Sequence, residues 1–495
     1  MNIDNLNEQQ KQAVLYNEGP LLILAGAGSG KTKVLTTKID YLIQEKNIDP
    51  YNILAITFTN KAAKEMKDRV FNLIGDIAKY IQVSTFHSFG LRILRDNCDV
   101  LGYDRNFVIM DSDDSLTVVK RILKEANYDP KVYNPRAIRN KISSCKNELM
   151  TPELYERYAT SEYEKIILEV YQKYEKKLQQ NNSVDFDDLL ILPIKLFREN
   201  PSILQNYQER FKYILIDEYQ DTNEAQYILT KLLSAKYRNI MVVGDDSQSI
   251  YSFRGANYKN ILNFEKDYKE AKTIMLEQNY RSTSNILDAA NDVIKHNKEK
   301  KDKKLWTENA TGEKIKYYRA FNERDEAQYA IRKIKELVNK NTQYKDIAIL
   351  YRTNAQSRIL EEEMLKENLP YRVVGSFYFY NRKEIKDLIA YLRLIHNSKD
   401  NISLTRVINT PKRGIGLKTI ENITNKADEL GISMYDAISS GKELLFKNTI
   451  EDLKKVAENI TLTELIDKVL DTTGMKEELE KENSLYAEIR LENLE

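Results

Sequence analysis

The chain's 495 residues are too many for one hydrophobic core and suit three or four domains of ~100 to 200 residues each. With 42% hydrophobic and 31% charged residues, the composition excludes wholesale disorder. Lysine plus arginine (76) nearly balance aspartate plus glutamate (75), leaving a net charge of +1, so a polyanion has to be held by a local groove and not by an overall field.

Short apolar runs alternate with long helical patterns, which predicts parallel strands with crossover helices. Residues 1–12 are polar, without the apolar region of a secretion signal, and no apolar run reaches ~18 residues, so no membrane partner is expected. Strands are predicted at Leu21–Ala25 and Ile53–Thr57. Between residues 91 and 191 the strand signals stop and the pattern becomes helical and charged, as in 155–179, which predicts a helical insertion. Strands resume at Tyr213–Ile216 and at 241–243. From Thr273 a second α/β section is expected, with a strand at 346–351, joined through the basic stretch 298–304. From Arg382 onward the chain reads as helical to its end. Cys98 and Cys145 are too few for a disulfide framework, and three histidines give no Cys/His zinc cluster, so a reducing, cytoplasmic setting is expected.

Open α/β sheets bind ligands at the C-terminal edges of their strands. Ala25-Gly26-Ala27-Gly28-Ser29-Gly30-Lys31-Thr32 follows the first strand and precedes a helical run, the context a phosphate-binding P-loop requires. Glycines let backbone N–H groups wrap phosphates, and the helix that begins there points its positive end at them. Lys31 is expected to reach the β/γ-phosphates and the Thr32 hydroxyl to ligand Mg²⁺. Ala25 stands where the simplest pattern has glycine. Ile214-Leu215-Ile216-Asp217-Glu218 is an apolar strand ending in two acids. Such a pair alone is more often a solvated turn, but beside a P-loop Asp217 is expected to hold Mg²⁺ and Glu218 to orient and deprotonate the attacking water. Arg281, in Asn279-Tyr280-Arg281, is a candidate arginine finger, although a lone arginine by default reads as a surface ion pair.

Further blocks accompany these in order: Leu6-Asn7-Glu8-Gln9-Gln10, Thr57-Phe58-Thr59-Asn60-Lys61-Ala62-Ala63, Thr85-Phe86-His87-Ser88-Phe89, Asp185-Phe186-Asp187-Asp188-Leu189-Leu190, Asp217-Glu218-Tyr219-Gln220-Asp221-Thr222-Asn223, Val243-Gly244-Asp245-Asp246-Ser247-Gln248-Ser249-Ile250-Tyr251-Ser252-Phe253-Arg254-Gly255-Ala256 and Leu276-Glu277-Gln278-Asn279-Tyr280-Arg281-Ser282-Thr283. With the P-loop they resemble the successive motifs of superfamily 1 DNA helicases of the UvrD/PcrA/Rep family. The resemblance implies that Gln10 reads the adenine edge and Tyr280 stacks on its face, and that Gly26, Ala27, Gly28, Ser29, Gly30 and Lys33 join Ala25, Lys31, Thr32 and Arg281 around ATP. It places Gln248 against the γ-phosphate. Phe58, His87, Tyr251 and Phe253 become single-stranded DNA stackers, with Arg254 nearby. Phe253 stands where the family usually has Trp, and Ser247 where Asp is common. Phe86 and Phe89, beside His87, read better as core. Arg352 and Asn354 match positions that touch the DNA backbone, and Arg413, Gly414 and Gly416, in Pro411-Lys412-Arg413-Gly414-Ile415-Gly416, resemble a turn that approaches duplex phosphates.

The implied fold is α/β: two RecA-like parallel-sheet domains, each with a mainly helical insertion. Residues 1–90 and 191–275 form the first, 91–190 its insertion, 276–381 the start of the second, and 382–495 part of the insertion into that one. The family's last two motifs are not found, so a C-terminally truncated chain is expected, with an incomplete second sheet and exposed apolar surface around 276–380. The implied function is an ATP- and Mg²⁺-dependent 3′ to 5′ DNA helicase or translocase whose partners are single strands and single-strand/duplex junctions. The alternative is a nucleotide- and DNA-binding module with little turnover. A P-loop ATPase acting on RNA or protein fits the base-stacking candidates less well.

Overall fold

Strands apolar at every position suit a parallel sheet covered on both faces, and such strands form the centre of this chain. The computed structural model describes residues 3–251, 255–297, 301, 303–374, 382–482 and 484–494. Its strands are β1 (Leu21–Ala25), β2 (Ile53–Thr57), β3 (Gln82–Thr85), β4 (Val108–Ile109), β5 (Ser183–Val184), β6 (Tyr213–Ile216), β7 (Ile240–Gly244) and β8 (Lys272–Leu276). Six of them make one parallel sheet in the order β3-β2-β6-β7-β1-β8. Alternate residues of β1 serve opposite faces. Leu21, Ile23 and Ala25 pack with Leu35, Ile39 and Met66 of helices Lys31–Gln44 and Asn60–Ile74. Leu22 and Leu24 meet Phe86, Phe89, Leu229 and Phe264 on the other side. All six strands therefore deliver their C-terminal ends to one edge.

Two strands depart from expectation. The predicted second section opens with β8, yet β8 pairs with β1 along Leu21 to Ala25 and is the outermost strand of the first sheet, where Ile274 and Leu276 complete its core. β3 escapes prediction because its Gln and Ser-Thr residues give little apolar signal, and it pairs only with β2 at the opposite border.

The insertion has its own core, formed between helices Ser112–Glu125, Pro135–Asn147 and Glu162–Gln180. Each helix starts where a polar side chain receives its first free N–H groups: Asp111, Asn134 and Ser161. A short parallel pair, β4 with β5, lies beneath it and was not legible in two-residue segments.

The chain divides into two compact units, one of residues 1–313, 396–404 and 420–438, the other of 314–395, 405–419 and 439–495. The second unit is helical, as expected after residue 382, including Gly441–Ala457 and Leu462–Thr473. The strand expected at 346–351 does not form: Tyr344–Asp346 is a short 3-10 turn, and among the described residues nothing pairs with the stretch that follows. An extended segment without a neighbour forms no ladder, and Leu350 is left 93% exposed. Phe321, at 96%, and Tyr317, at 86%, are exposed in the same unit. No described helix is long and apolar enough to cross a membrane.

Candidate functional site

The phosphate loop turns on glycines. Gly28 and Gly30 have φ of 67° and 85°, left-handed conformations that side chains avoid, and Gly30 caps helix Lys31–Gln44. Ala27 to Lys33, Arg69, Glu218, Gln248, Tyr280 and Arg281 line a cavity of about 370 Å³. Ala25 and Gly26 lie behind it. The Ala25 side chain is in the sheet core, and Gly26 faces Leu305, whose Cδ2 would sit 1.9 Å from an added Cβ. Both thus shape the loop from below.

Across the cavity Lys31 Nζ stands 3.5 Å from Glu218 Oε2. Glu218 has φ of 51°, a strained left-handed turn that swings its carboxylate away from β6. Gln220, fully buried, braces it: its Nε2 donates to Glu218 Oε2 at 2.9 Å, and its Oε1 accepts from the N–H of Asp245 at 3.0 Å. Asp217 is buried at the β6 tip, and burial, reinforced by repulsion from Glu218, pushes its carboxyl up to about 7 against the pull of Lys31. A buried carboxylate short of positive charge at a strand tip and a hydroxyl at the head of the phosphate-loop helix, Thr32, are donor types that fit Mg²⁺. Gln248 reaches the cavity with its amide donating to Asp245 Oδ2 at 2.5 Å, and Lys303 pairs with both Asp245 and Asp246.

The Arg281 turn is clamped to the phosphate loop by Asn279. This buried amide donates to Ala27 O at 2.5 Å and accepts from the N–H groups of Arg281 and Ser282, while Tyr280 N–H donates to Gly28 O at 2.9 Å. The Tyr280 ring is half exposed, its hydroxyl held by Asn7 and Gln278. Gln10 differs from expectation. It is 1% exposed, its Nε2 donates to Ser29 O at 2.9 Å, and its Oε1 accepts from Asn7 N–H, so reading an adenine edge requires exchanging both bonds.

A second cavity, about 1030 Å³, opens beside the same sheet edge and is lined by Phe58, His87, Phe186 and Tyr251 among amide-rich neighbours. Four of its aromatic rings form two pairs. Phe58 and Tyr251 stack with centroids 5.0 Å apart, and His87 and Phe186 with centroids 4.0 Å apart. Burial lowers His87 to about 4, which keeps its ring neutral. Phe86 and Phe89 are buried in the core, as expected.

The UvrD/REP helicase N-terminal domain model matches residues 6–269, and the UvrD-like helicase C-terminal domain model matches 274–494. The chain belongs to the UvrD/REP helicase family. It is 52% identical to proteins named ATP-dependent DNA helicase PcrA from Staphylococcus aureus and Staphylococcus epidermidis, alignments that cover 100% of this chain and 69% of each relative.

Within this helicase-family chain the remaining expected residues divide. Phe253 and Arg254 lie outside the described residues. Arg352 and Asn354 are exposed in the second unit, where Gln356 caps the turn between them through the N–H groups of Arg352 and Thr353. Arg413 is engaged within its own unit. Its guanidinium donates to Val407 O, Pro411 O, Tyr391 Oη and Thr473 O at 2.7 to 3.2 Å and lies over the Phe446 ring. Gly414 and Gly416 remain exposed on that turn, Gly414 with φ of 73°. Four residues outside the expected set also matter: Arg69, Gln220, Asn279 and Phe186. The last three stand inside quoted motifs, but their roles follow from long-range contacts that no local pattern announces.

Proposed function

We propose that this chain is an ATP-dependent motor on DNA: a 3′ to 5′ single-stranded DNA translocase and helicase that acts at single-strand/duplex junctions. Residues 1–90 and 191–275 serve as the first RecA-like domain and 91–190 as its insertion; 276–381 begin the second domain and 382–495 belong to the insertion in it. The observation that carries the reading is the emergence, from one sheet edge, of a glycine-wrapped phosphate cavity and a groove walled by stacked aromatic rings.

ATP is the substrate of the first cavity. The N–H groups of Gly28 to Thr32 and the Lys31 ammonium bind its phosphates, and an arriving γ-phosphate competes with Glu218 for Lys31. Thr32 and Asp217 would hold Mg²⁺, which when bound neutralises charge on the phosphate oxygens. Freed from Lys31 but still held by Gln220, Glu218 takes a proton from the attacking water. Arg281, locked to the loop through Asn279, faces the developing charge. Tyr280 offers its ring to adenine. Gln248 senses the γ-phosphate and, through Asp245 and Gln220, shares a hydrogen-bond chain with the base. In the groove, bases stack on Phe58, His87, Phe186 and Tyr251 at ~1 to 3 kcal/mol each.

Phosphate release from Mg·ATP, measured with and without single-stranded DNA, tests the reading. Stimulation by DNA exceeding that by RNA of the same length is expected. Nucleotide binding with no stimulated turnover would leave a passive binding module instead.

A further inference from the structure

The turn that carries Phe186 is closed by two carboxylates that repel each other. Asp185 and Asp188 flank Phe186 and Asp187, and each donates its backbone N–H to the other's carboxylate, at 3.0 Å and 2.9 Å. Both are buried. Their remaining oxygens converge on Lys146 Nζ, 2.8 Å from Asp185 Oδ2 and 2.7 Å from Asp188 Oδ1, and Glu175 Oε1 stands 2.8 Å from the same nitrogen. The ammonium donates to Asp185 and Asp188, and Glu175 adds a third negative charge beside it as an ion-pair partner. Tyr174 adds its hydroxyl to Asp185 Oδ2 at 3.0 Å, and its ring lies 5.3 Å from the ammonium.

Lys146 is 2% exposed and belongs to helix Pro135–Asn147, while Tyr174 and Glu175 come from helix Glu162–Gln180. Two insertion helices thus pin a turn whose tip reaches the groove. At that tip Phe186 is 57% exposed and stacked on His87, and Asp187 accepts from Ser143 Oγ at 2.6 Å and Asn147 Nδ2 at 2.9 Å.

We infer that Lys146 is a positioning residue for the DNA groove: its buried ammonium holds the 185–188 turn closed and so keeps Phe186 on His87, in place to take a base. This rests on the groove reading above. Burial opposes the charge on Lys146, but the three acids outweigh it and hold its pKa well above the ordinary value. Burial, with repulsion from Asp185, drives Asp188 well up, so the cluster tolerates its excess of acid only around the cation. Without the ammonium the carboxylates must take up protons or separate, and separation opens the turn that bears Phe186.

The test is a double-mutant cycle on the full chain, read by anisotropy of a short fluorescein-labelled oligothymidylate. F186A should weaken binding by about tenfold, the range of one lost stacking contact. K146M should weaken it by about fivefold or more in the wild-type background and have no further effect on F186A, whereas its effect on melting temperature should be the same in both. That split separates positioning from general destabilisation. If K146M does not fold, K146R takes its place, since a planar guanidinium cannot sit among three converging carboxylates as a compact ammonium does, and a smaller loss confined to the Phe186 background is expected. Losses that add fully to F186A, or wild-type affinity in K146M, would overturn the inference. Unchanged affinity in F186A would instead remove Phe186 from the groove reading.

Discussion

The two cavities on this sheet edge are built by different means. The phosphate-loop cavity is mainly backbone: a loop of successive residues, two glycines in left-handed conformations, a helix start, and single charges placed at strand tips. The groove is mainly side chain, with ring pairs contributed by residues as distant as Phe58 and Tyr251 or His87 and Phe186. A site made of contiguous backbone tolerates few substitutions and announces itself in sequence, whereas a site of paired rings can lose one member and keep its shape. The two should therefore fail differently.

The largest effect is expected at Glu218. Glu218→Gln removes the base but keeps an amide that can still accept from Gln220, so turnover should fall by ~10² to 10⁴ while Mg·ATP binding persists. Phosphate release beside a fluorescent-nucleotide titration reads both. Wild-type turnover would shift the base to Asp221, whose carboxyl burial and the Glu218 charge raise to about 6.

Next comes the clamp. Asn279→Ala deprives Ala27 O of a donor and the Arg281 and Ser282 N–H groups of their acceptor, and each buried group left unpaired costs ~1 to 3 kcal/mol. Nucleotide affinity should fall by about tenfold or more, with single-stranded DNA binding in the absence of nucleotide unchanged. Equal losses at both sites would show that the clamp stabilises the whole unit and not the cavity.

The groove should respond in the opposite sense. Tyr251→Ala is expected to cost ~1 to 3 kcal/mol of single-stranded DNA affinity and nothing in DNA-free nucleotide binding. Phe89→Ala is its counterpart from the core: fully buried, it should lower stability by ~3 to 5 kcal/mol. A Tyr251 variant that melts like the Phe89 variant would place Tyr251 in the core.

What the sequence disclosed follows the same division. Central strands β1, β2, β6 and β7 were legible because both faces are buried and nearly every residue is apolar. β3, at the sheet border, carries polar residues, and β8 joins β1 across a gap in sequence that no local signal bridges. Lys31, Thr32 and Glu218 were legible as polar side chains at strand ends, and the structure brings them to one cavity. Gln10 was placed in the site but not in its bonds, since its partner Ser29 lies beyond local range. The bonds of Arg413 were not legible for a related reason. A glycine-flanked arginine suggests a phosphate ligand, whereas Tyr391 and Thr473, remote in sequence, occupy its guanidinium. The run at 346–351 has strand-like residues but no partner strand among the described residues, and pairing decides whether a strand exists.

The smallest expected effect tests whether the groove grips bases by ring faces or by charge. Burial lowers His87 to about 4, against an ordinary value of 6.5, so the folded protein refuses a proton that the unfolded chain accepts. His87 therefore contributes stability that is fully present above pH 6.5 and is lost as pH falls toward 4. Wild type should lose more melting temperature than His87→Gln between about pH 7.5 and 5, because only wild type carries this imidazole. DNA binding should show no matching change, since the ring stays neutral and stacks throughout that interval. Asp187 and Asp221 also border the groove and titrate upward of ordinary carboxylates, so the measurement is the difference between wild type and variant at each pH. An affinity that rises below pH 6.5 in wild type alone would mean that His87 gains its proton beside the DNA and holds a phosphate. In that event the groove would share the charge-based logic of the nucleotide cavity, and the contrast between the two sites would fail at His87.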